Sequence, residues 1–243
     1  MHQTIEKMKQ LRLHQMSEIH HQRVVNNHHQ DYSVDQYTSF LVEQEWEYRR
    51  NRKIERLIRT AKFKITATVS DIDFKSKRNL DRDMIHKLAL LSFIKNKQNI
   101  IFTGPAGVGK SYLAQALGHQ ACMHGLRTGY HHCARLLAIM KFAKVEGSYL
   151  KQLAAIAKIN LLILDDFGLQ KLDNAEREIL MDIIEDRHQS TSTIIASQIP
   201  ISKWYDIIGE GTIADAILDR LVHTAYRIDL QGESQRKKQV PKL

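Results

Sequence analysis

The sequence predicts an α/β fold, a parallel sheet flanked by helices, preceded by a smaller all-helical N-terminal domain. Three observations carry this expectation. Beyond Lys97, short apolar or β-branched runs alternate with helical stretches, the order that lays crossover helices over both faces of a parallel sheet. One of those runs, Leu161-Leu162-Ile163-Leu164, has no polar interruption, as a strand covered on both faces requires. Before Lys97 the apolar residues recur at helical spacing and no strand pattern occurs. The expected division is 1–70 for the helical domain and 71–243 for the α/β domain.

The elements follow in order. Residues 2–26 are polar and helix-prone, with Ile5, Met8, Leu11 and Leu13 near helical spacing, and Asn26-Asn27-His28-His29 reads as a break. Ser33 is the expected N-cap of a second helix, because its hydroxyl can accept an orphan backbone N–H; that helix runs to about Phe63. Residues 66–74 read as a connector, and Asp81 caps a helix continuing through Met84, Leu88, Leu91 and Ile94. A strand over 99–103 leads into a glycine-rich turn and a helix from Lys110 to about His124. Next come a strand over 127–132, helices over 134–146 and 148–158, and the strand over 161–164. A helix over 174–188, a β-branched strand over 193–197, short helices over 201–208 and 212–223, and a strand over 225–230 complete the pattern. The tail from Gln231 is polar and basic.

Composition narrows the setting. No apolar run approaches the ~18 residues of a membrane span, and Met1-His2-Gln3-Thr4 lacks the apolar core of a signal peptide. A cytoplasmic address and no membrane partner are expected. Cys122 and Cys133 are too few for a disulfide framework, which fits a reducing compartment. His124, His131 and His132 lie near them, but no paired C-x-x-C spacing supports zinc. The net charge is +9. Residues 1–97 hold 19 Lys/Arg against 12 Asp/Glu, and residues 98–243 hold 17 against 15, so the excess sits in the first two-fifths. Such a balance points to a polyanionic partner.

Gly104-Pro105-Ala106-Gly107-Val108-Gly109-Lys110-Ser111 fits G-x-x-x-x-G-K-[ST] between a strand and a helix. Glycines let successive backbone N–H groups turn toward phosphates, and the following helix adds its positive end. Lys110 is placed to reach the β- and γ-phosphates and Ser111 to ligate Mg2+. Tyr112, the next residue, is counted with this nucleotide site.

Such a loop needs a carboxylate at a neighbouring strand end. Asp165 is the candidate metal partner and Asp166 the candidate base that aligns a water. Ser197-Gln198, closing the next strand, stands where a polar group can meet the γ-phosphate. Arg220 is a candidate guanidinium for a neighbour's γ-phosphate; Asp219 or Asp215 is the alternative ion-pair partner. Arg187 reads as a cation favoured at a helix C-terminus.

Together these residues resemble the AAA+ ATPases of the IstB/DnaC family, over roughly residues 75–240. The likeness rests on Gly104–Ser111, on Leu161 to Gly168 with its Asp-Asp-Phe-Gly, on Asp186-Arg187 and on Asp219-Arg220. AAA+ proteins more commonly put Glu second in the acidic pair, and Asp166 favours this branch. The resemblance implies ATP with Mg2+, and a first sensor at Ser197-Gln198. It also implies a trans arginine finger at Arg220, and a second sensor near Arg236, where members more often carry Ser-Tyr-Arg. It further implies oligomers or filaments, double-stranded DNA and a transposase as partners, as in IstB-type transposition helpers. A DnaC-like helicase loader is the alternative. A nucleotide-gated binding module with negligible turnover would use the same loop. So would a small-molecule kinase, but neither an acceptor pocket nor a lid is visible.

From Arg49 to Lys64 there are eight basic residues and one acid, Glu55. At ~100° per residue, Arg49, Arg52, Lys53, Arg56 and Arg59 share an arc of about 120°. Ile54, Leu57, Ile58 and Ala61 take a separate arc. The basic stripe is the candidate DNA contact, through phosphates and with weak sequence specificity, since no base-reading motif accompanies it.

Overall fold

Ser33 opens the longest described helix with a reciprocal cap: its hydroxyl accepts the Gln36 N–H at 3.2 Å, and Gln36 Oε1 accepts the Ser33 N–H at 2.9 Å. From there α3 (Val34–Ala61) runs 28 residues. The computed structural model describes residues 2–28, 32–209 and 211–235. The chain forms two compact units, Met1–Arg56 and Leu57–Leu243.

In the first unit, α1 (His2–Gln10) and α2 (His14–Val25) stand where one helix over 2–26 was expected. The break lies at Arg12, whose φ is 60°. Arg49 Nη2 donates to the Arg12 carbonyl at 2.7 Å, and the buried Glu45 carboxylate accepts the Met16 N–H at 3.0 Å and Arg49 Nε at 2.7 Å. These α3 side chains satisfy backbone groups that a continuous helix would have used itself. Beyond α2, Asn27 has φ 57°, as a break there requires; His29 lies outside the described residues.

The second unit begins at Leu57. Leu57 and Ala61, from the last turns of α3, pack on Cys122 with Phe63. Gln115 Oε1 accepts the backbone N–H groups of Lys64 at 2.7 Å and Ile65 at 3.3 Å, and Ala67 joins the main core. Asp81 caps α4 (Arg82–Ala89) through the N–H groups of Asp83 and Met84. The helix does not continue through Leu91: that residue takes φ 60°, turning the chain so that Phe93 and Ile94 of α5 (Ser92–Lys95) enter the core.

The sheet holds β1 (Ile100–Thr103), β2 (Thr128–His132), β3 (Leu161–Phe167), β4 (Ser192–Ser197) and β5 (Tyr226–Asp229). Every pairing is parallel, in the order β2-β3-β4-β1-β5. Its residues alternate between two cores, as period-2 side chains in a doubly covered sheet must. Ile100, Phe102, Leu161, Ile163 and Ile194 pack with α6 (Lys110–Met123). On the other face, Ile101, Leu162, Leu164 and Ile195 pack with α7 (Cys133–Val145), α8 (Tyr149–Ala157), α9 (Asn174–Arg187), α10 (Trp204–Ile208) and α11 (Gly211–Val222). β3 extends three residues past the expected 161–164, through both aspartates. Among the described residues no helix is long and apolar enough to cross a membrane.

Candidate functional site

The phosphate loop leaves the C-terminal end of β1 and enters α6 at Lys110. Gly104 has φ +137°, and a Cβ there would sit 2.1 Å from the Leu230 carbonyl oxygen. Gly109, the N-cap of α6, has φ +104° and no side-chain cap bond, which leaves the first N–H groups of the helix for a ligand. Val108 is fully buried in the core, so its contribution to a nucleotide is its backbone. Pro105 and Ala106 lie at the loop's outer side, Ala106 exposed. Tyr112 packs against the core at partial burial; burial and then the Asp71 charge push its phenol up.

Lys110 is 6% exposed, and its Nζ donates to the carbonyls of Gly104 and Pro105 at 2.7 Å each. The Ser111 hydroxyl donates to Asp165 Oδ1 at 2.7 Å. Asp165 Oδ1 also accepts the Asp166 N–H at 3.0 Å, and Oδ2 accepts the Tyr130 hydroxyl. Asp166 has φ +56° where the β3–β4 register shifts between Leu164 and Phe167, so the bulge turns its side chain off the ladder. Its Oδ2 lies 3.4 Å from His132 Nε2. Ser111 and Asp165 are therefore brought together although 54 positions separate them, with Lys110 and Asp166 next to them in the chain.

Four neighbours carry no signature in the sequence. Tyr130 and His132 reach the aspartates from β2. Gln115 Nε2 donates to the Ser111 carbonyl at 3.1 Å, tying the helix start to residues 64–65. Arg78, 4% exposed, donates to the Val108 carbonyl at 3.1 Å and the Asp73 carbonyl at 2.8 Å, and burial draws its pKa down. The chain after β5 closes over the same loop: the Gln235 N–H donates to the Gly107 carbonyl at 2.9 Å. Only long-range covariation could have found these contacts, since each joins residues at least 30 positions apart, except Gln115 to Ser111 and Arg78 to Asp73.

Other expected residues fall differently. Ser197 is fully buried, and its hydroxyl donates to the Phe167 carbonyl at 2.7 Å and accepts the Ile199 N–H at 3.0 Å. It bridges the ends of β3 and β4. Arg187 stands in the last turn of α9, as expected, and is 2% exposed and bonded to the backbone around α8, β3 and β4. Arg220 pairs with Glu185 at 2.7 Å, not with Asp215 or Asp219, and its Nη1 donates to the Ala216 carbonyl at 3.0 Å. It lines a cavity of about 230 Å³ with Lys97, Asn99, Arg187 and His188. That cavity lies at the N-terminal ends of β1 and β4, opposite the end that bears the phosphate loop. Arg236 lies outside the described residues.

Of the basic stripe, Arg49, Arg52, Lys53 and Arg56 belong to the first unit and Arg59 to the second; all five are exposed. Arg49 is engaged by Glu45 and the Arg12 carbonyl, and Arg52 lies over the Tyr48 ring.

Comparison with known proteins agrees with this geometry. The family model "IstB-like ATP binding protein" matches residues 6–242. The chain is 42% identical to "Putative insertion sequence ATP-binding protein y4pL" of Sinorhizobium fredii (strain NBRC 101917 / NGR234), over 98% of this chain and 97% of that protein. It is 33% identical to "Insertion sequence IS21 putative ATP-binding protein" of Pseudomonas aeruginosa, over 84% and 78%. Among solved structures, that of DnaI is similar with a TM-score of 0.58 at 21% identity, over 72% of this chain and 93% of that one. The replication initiator DnaA bound to AMPPCP and single-stranded DNA has a TM-score of 0.59 at 19% identity, over 72% and 54%. These structural likenesses speak for the fold alone, a parallel sheet flanked by helices. With its phosphate loop facing an acidic strand end and the family match spanning nearly its whole length, the chain belongs to the IstB-like ATP-binding protein family.

Proposed function

We propose that this protein is a Mg2+-dependent ATPase that assembles on double-stranded DNA and regulates or recruits a transposase, in the cytoplasm. The observation that carries the reading is the 2.7 Å hydrogen bond from Ser111 to Asp165, which joins the phosphate loop to the acidic strand end. Both donors are hard oxygens, the kind magnesium takes while keeping several waters, so the residues fit the ion. When bound, Mg2+ would supply positive charge against the negative charge that develops as the terminal phosphoryl group leaves.

The chain's own residues do the rest. The loop amides and the start of α6 receive the phosphates. The Lys110 ammonium exchanges its two carbonyl acceptors for phosphate oxygens. Ser111 and Asp165 hold the ion, and Asp166, turned outward by the bulge, orients the attacking water. Arg220 serves a neighbouring subunit, since its place at the other end of the strands keeps it from its own loop. Residues 1–70 act as the DNA-binding adaptor, with Arg52, Lys53, Arg56 and Arg59 meeting phosphates without reading bases.

The test is nucleotide binding and turnover with and without Mg2+ and DNA. Lys110→Ala should lose Mg2+-ATP binding. Arg220→Ala should bind ATP normally yet turn over slowly, and recover when mixed with Lys110→Ala subunits. Normal hydrolysis by Arg220→Ala at assembling concentrations removes the finger. Reversing Arg52, Arg56 and Arg59 to Glu should weaken DNA binding and spare nucleotide binding; unchanged DNA affinity in low salt removes the stripe. A wild-type protein without Mg2+-dependent ATP affinity overturns the whole reading.

A further inference from the structure

Asp165 is 3% exposed, and each of its oxygens is held from a different side. Oδ1 faces the loop, accepting Ser111 Oγ at 2.7 Å and the Asp166 N–H at 3.0 Å. Oδ2 faces away, and the hydroxyl of Tyr130 donates to it. Tyr130 comes from β2, where the parallel register sets it beside Ile163 and sets His132 beside Asp165. It is 5% exposed, and Lys64 Nζ lies 5.5 Å from its ring centroid. A phenylalanine would fill nearly the same space within the core, so packing does not account for the oxygen.

The consequence lies in the carboxylate's rotation. A buried carboxylate with one unpartnered oxygen relieves the deficit by rotating toward another donor. That rotation withdraws Oδ1 from the side where Ser111 stands. A fixed donor on Oδ2 closes that route. We propose that Tyr130 is a positioning residue that keeps Asp165 aimed at the magnesium shared with Ser111. The proposal rests on the reading of Ser111 and Asp165 given above.

The experiment uses the full chain and a fluorescent ATP analogue, titrated with Mg2+ and, separately, bound in EDTA. For Tyr130→Phe the Mg2+ concentration at half-saturation should rise about tenfold or more, the scale of a stranded buried acceptor. Affinity in EDTA should stay within about twofold, because the loop amides do not depend on Asp165. Asp165→Asn should show a similar loss of Mg2+ dependence, and adding Tyr130→Phe to it should cost nothing more. An unchanged Mg2+ half-saturation in Tyr130→Phe overturns the proposal, and so does an equal further loss in the Asp165→Asn background. Those results leave the ATPase reading standing if the wild type still needs Mg2+; a wild type indifferent to Mg2+ sinks that reading first.

Discussion

Replacing Arg187 with methionine probes how the base of the sheet is held. The guanidinium donates from Nε to Thr193 Oγ1 at 3.1 Å, from Nη1 to the carbonyls of Ile156 and Ile159 at 2.9 Å each, and from Nη2 to the Ser192 carbonyl at 2.5 Å. Burial pushes its pKa down to about 9, which still leaves it charged at neutral pH. One side chain thus ties the end of α8 to the starts of β3 and β4. Methionine strands four acceptors, and each costs about 1–3 kcal/mol when buried without a donor. Removing a buried charge returns part of that, and the adjoining cavity of about 230 Å³, lined by Thr193, gives water room beside one of the four acceptors. The net loss should be about 3 kcal/mol, a fall in Tm of roughly 6–12 °C for a domain of this size. Arg187→Lys keeps the charge but loses the fork, and should fall between the two. Thermal unfolding followed by circular dichroism measures it. A fall below about 2 °C for the methionine variant would refute the argument, because it would mean the carbonyls need no donor from this residue.

Other positions give independent checks. A Cβ on Gly118 would stand 2.7 Å from Ile163 Cδ1 and 2.9 Å from Phe63 Cε1, so Gly118→Ala should destabilise the second unit by about 1–3 kcal/mol in urea denaturation, despite alanine's higher helix propensity. Arg49→Ala should raise amide exchange around Arg12 and Met16 while changing DNA affinity less than Arg52→Ala does, because Arg49 is committed to Glu45 and the Arg12 carbonyl. Cys122 and Cys133 are buried, and burial pushes the Cys133 thiol up to about 12. At pH 8 its thiolate fraction is on the order of 10⁻⁴. An aromatic disulfide reagent should therefore count no fast-reacting thiol in the folded protein and two after unfolding.

What could be read from the sequence was what is decided locally. The turn from Gly104 to Ser111 needs its glycines within eight residues, and the strand before it and helix after it are contiguous. The run Leu161 to Leu164 carries its own two-faced burial, unbroken by a polar residue. Where local reasoning went astray, a distant side chain had taken over a local group's bonding. The helix over 2–26 breaks because Glu45 and Arg49 satisfy backbone groups at residues 12–16. The last turns of α3 likewise lie against distant residues, since Leu57 and Ala61 pack with Cys122 and Ala67 is buried in the main core. Nothing in the spacing of those residues distinguishes a free helix end from a packed one.

The acidic pair shows the same logic at the site itself. Two aspartates after four aliphatic residues read as the point where a strand must stop, because an unpaired buried carboxylate is too costly to keep in a sheet. Yet β3 continues to Phe167. It can do so because Asp165 meets three donors, from Ser111, Tyr130 and the Asp166 backbone, each arriving from a different part of the chain. The strand's extension and the site's chemistry therefore have one cause. The donors that make Asp165 tolerable in the sheet also fix its direction, and one of them, Ser111, belongs to the phosphate loop. A residue that would be a fault in a purely structural strand becomes the link between two elements only because the fold brings its partners to it.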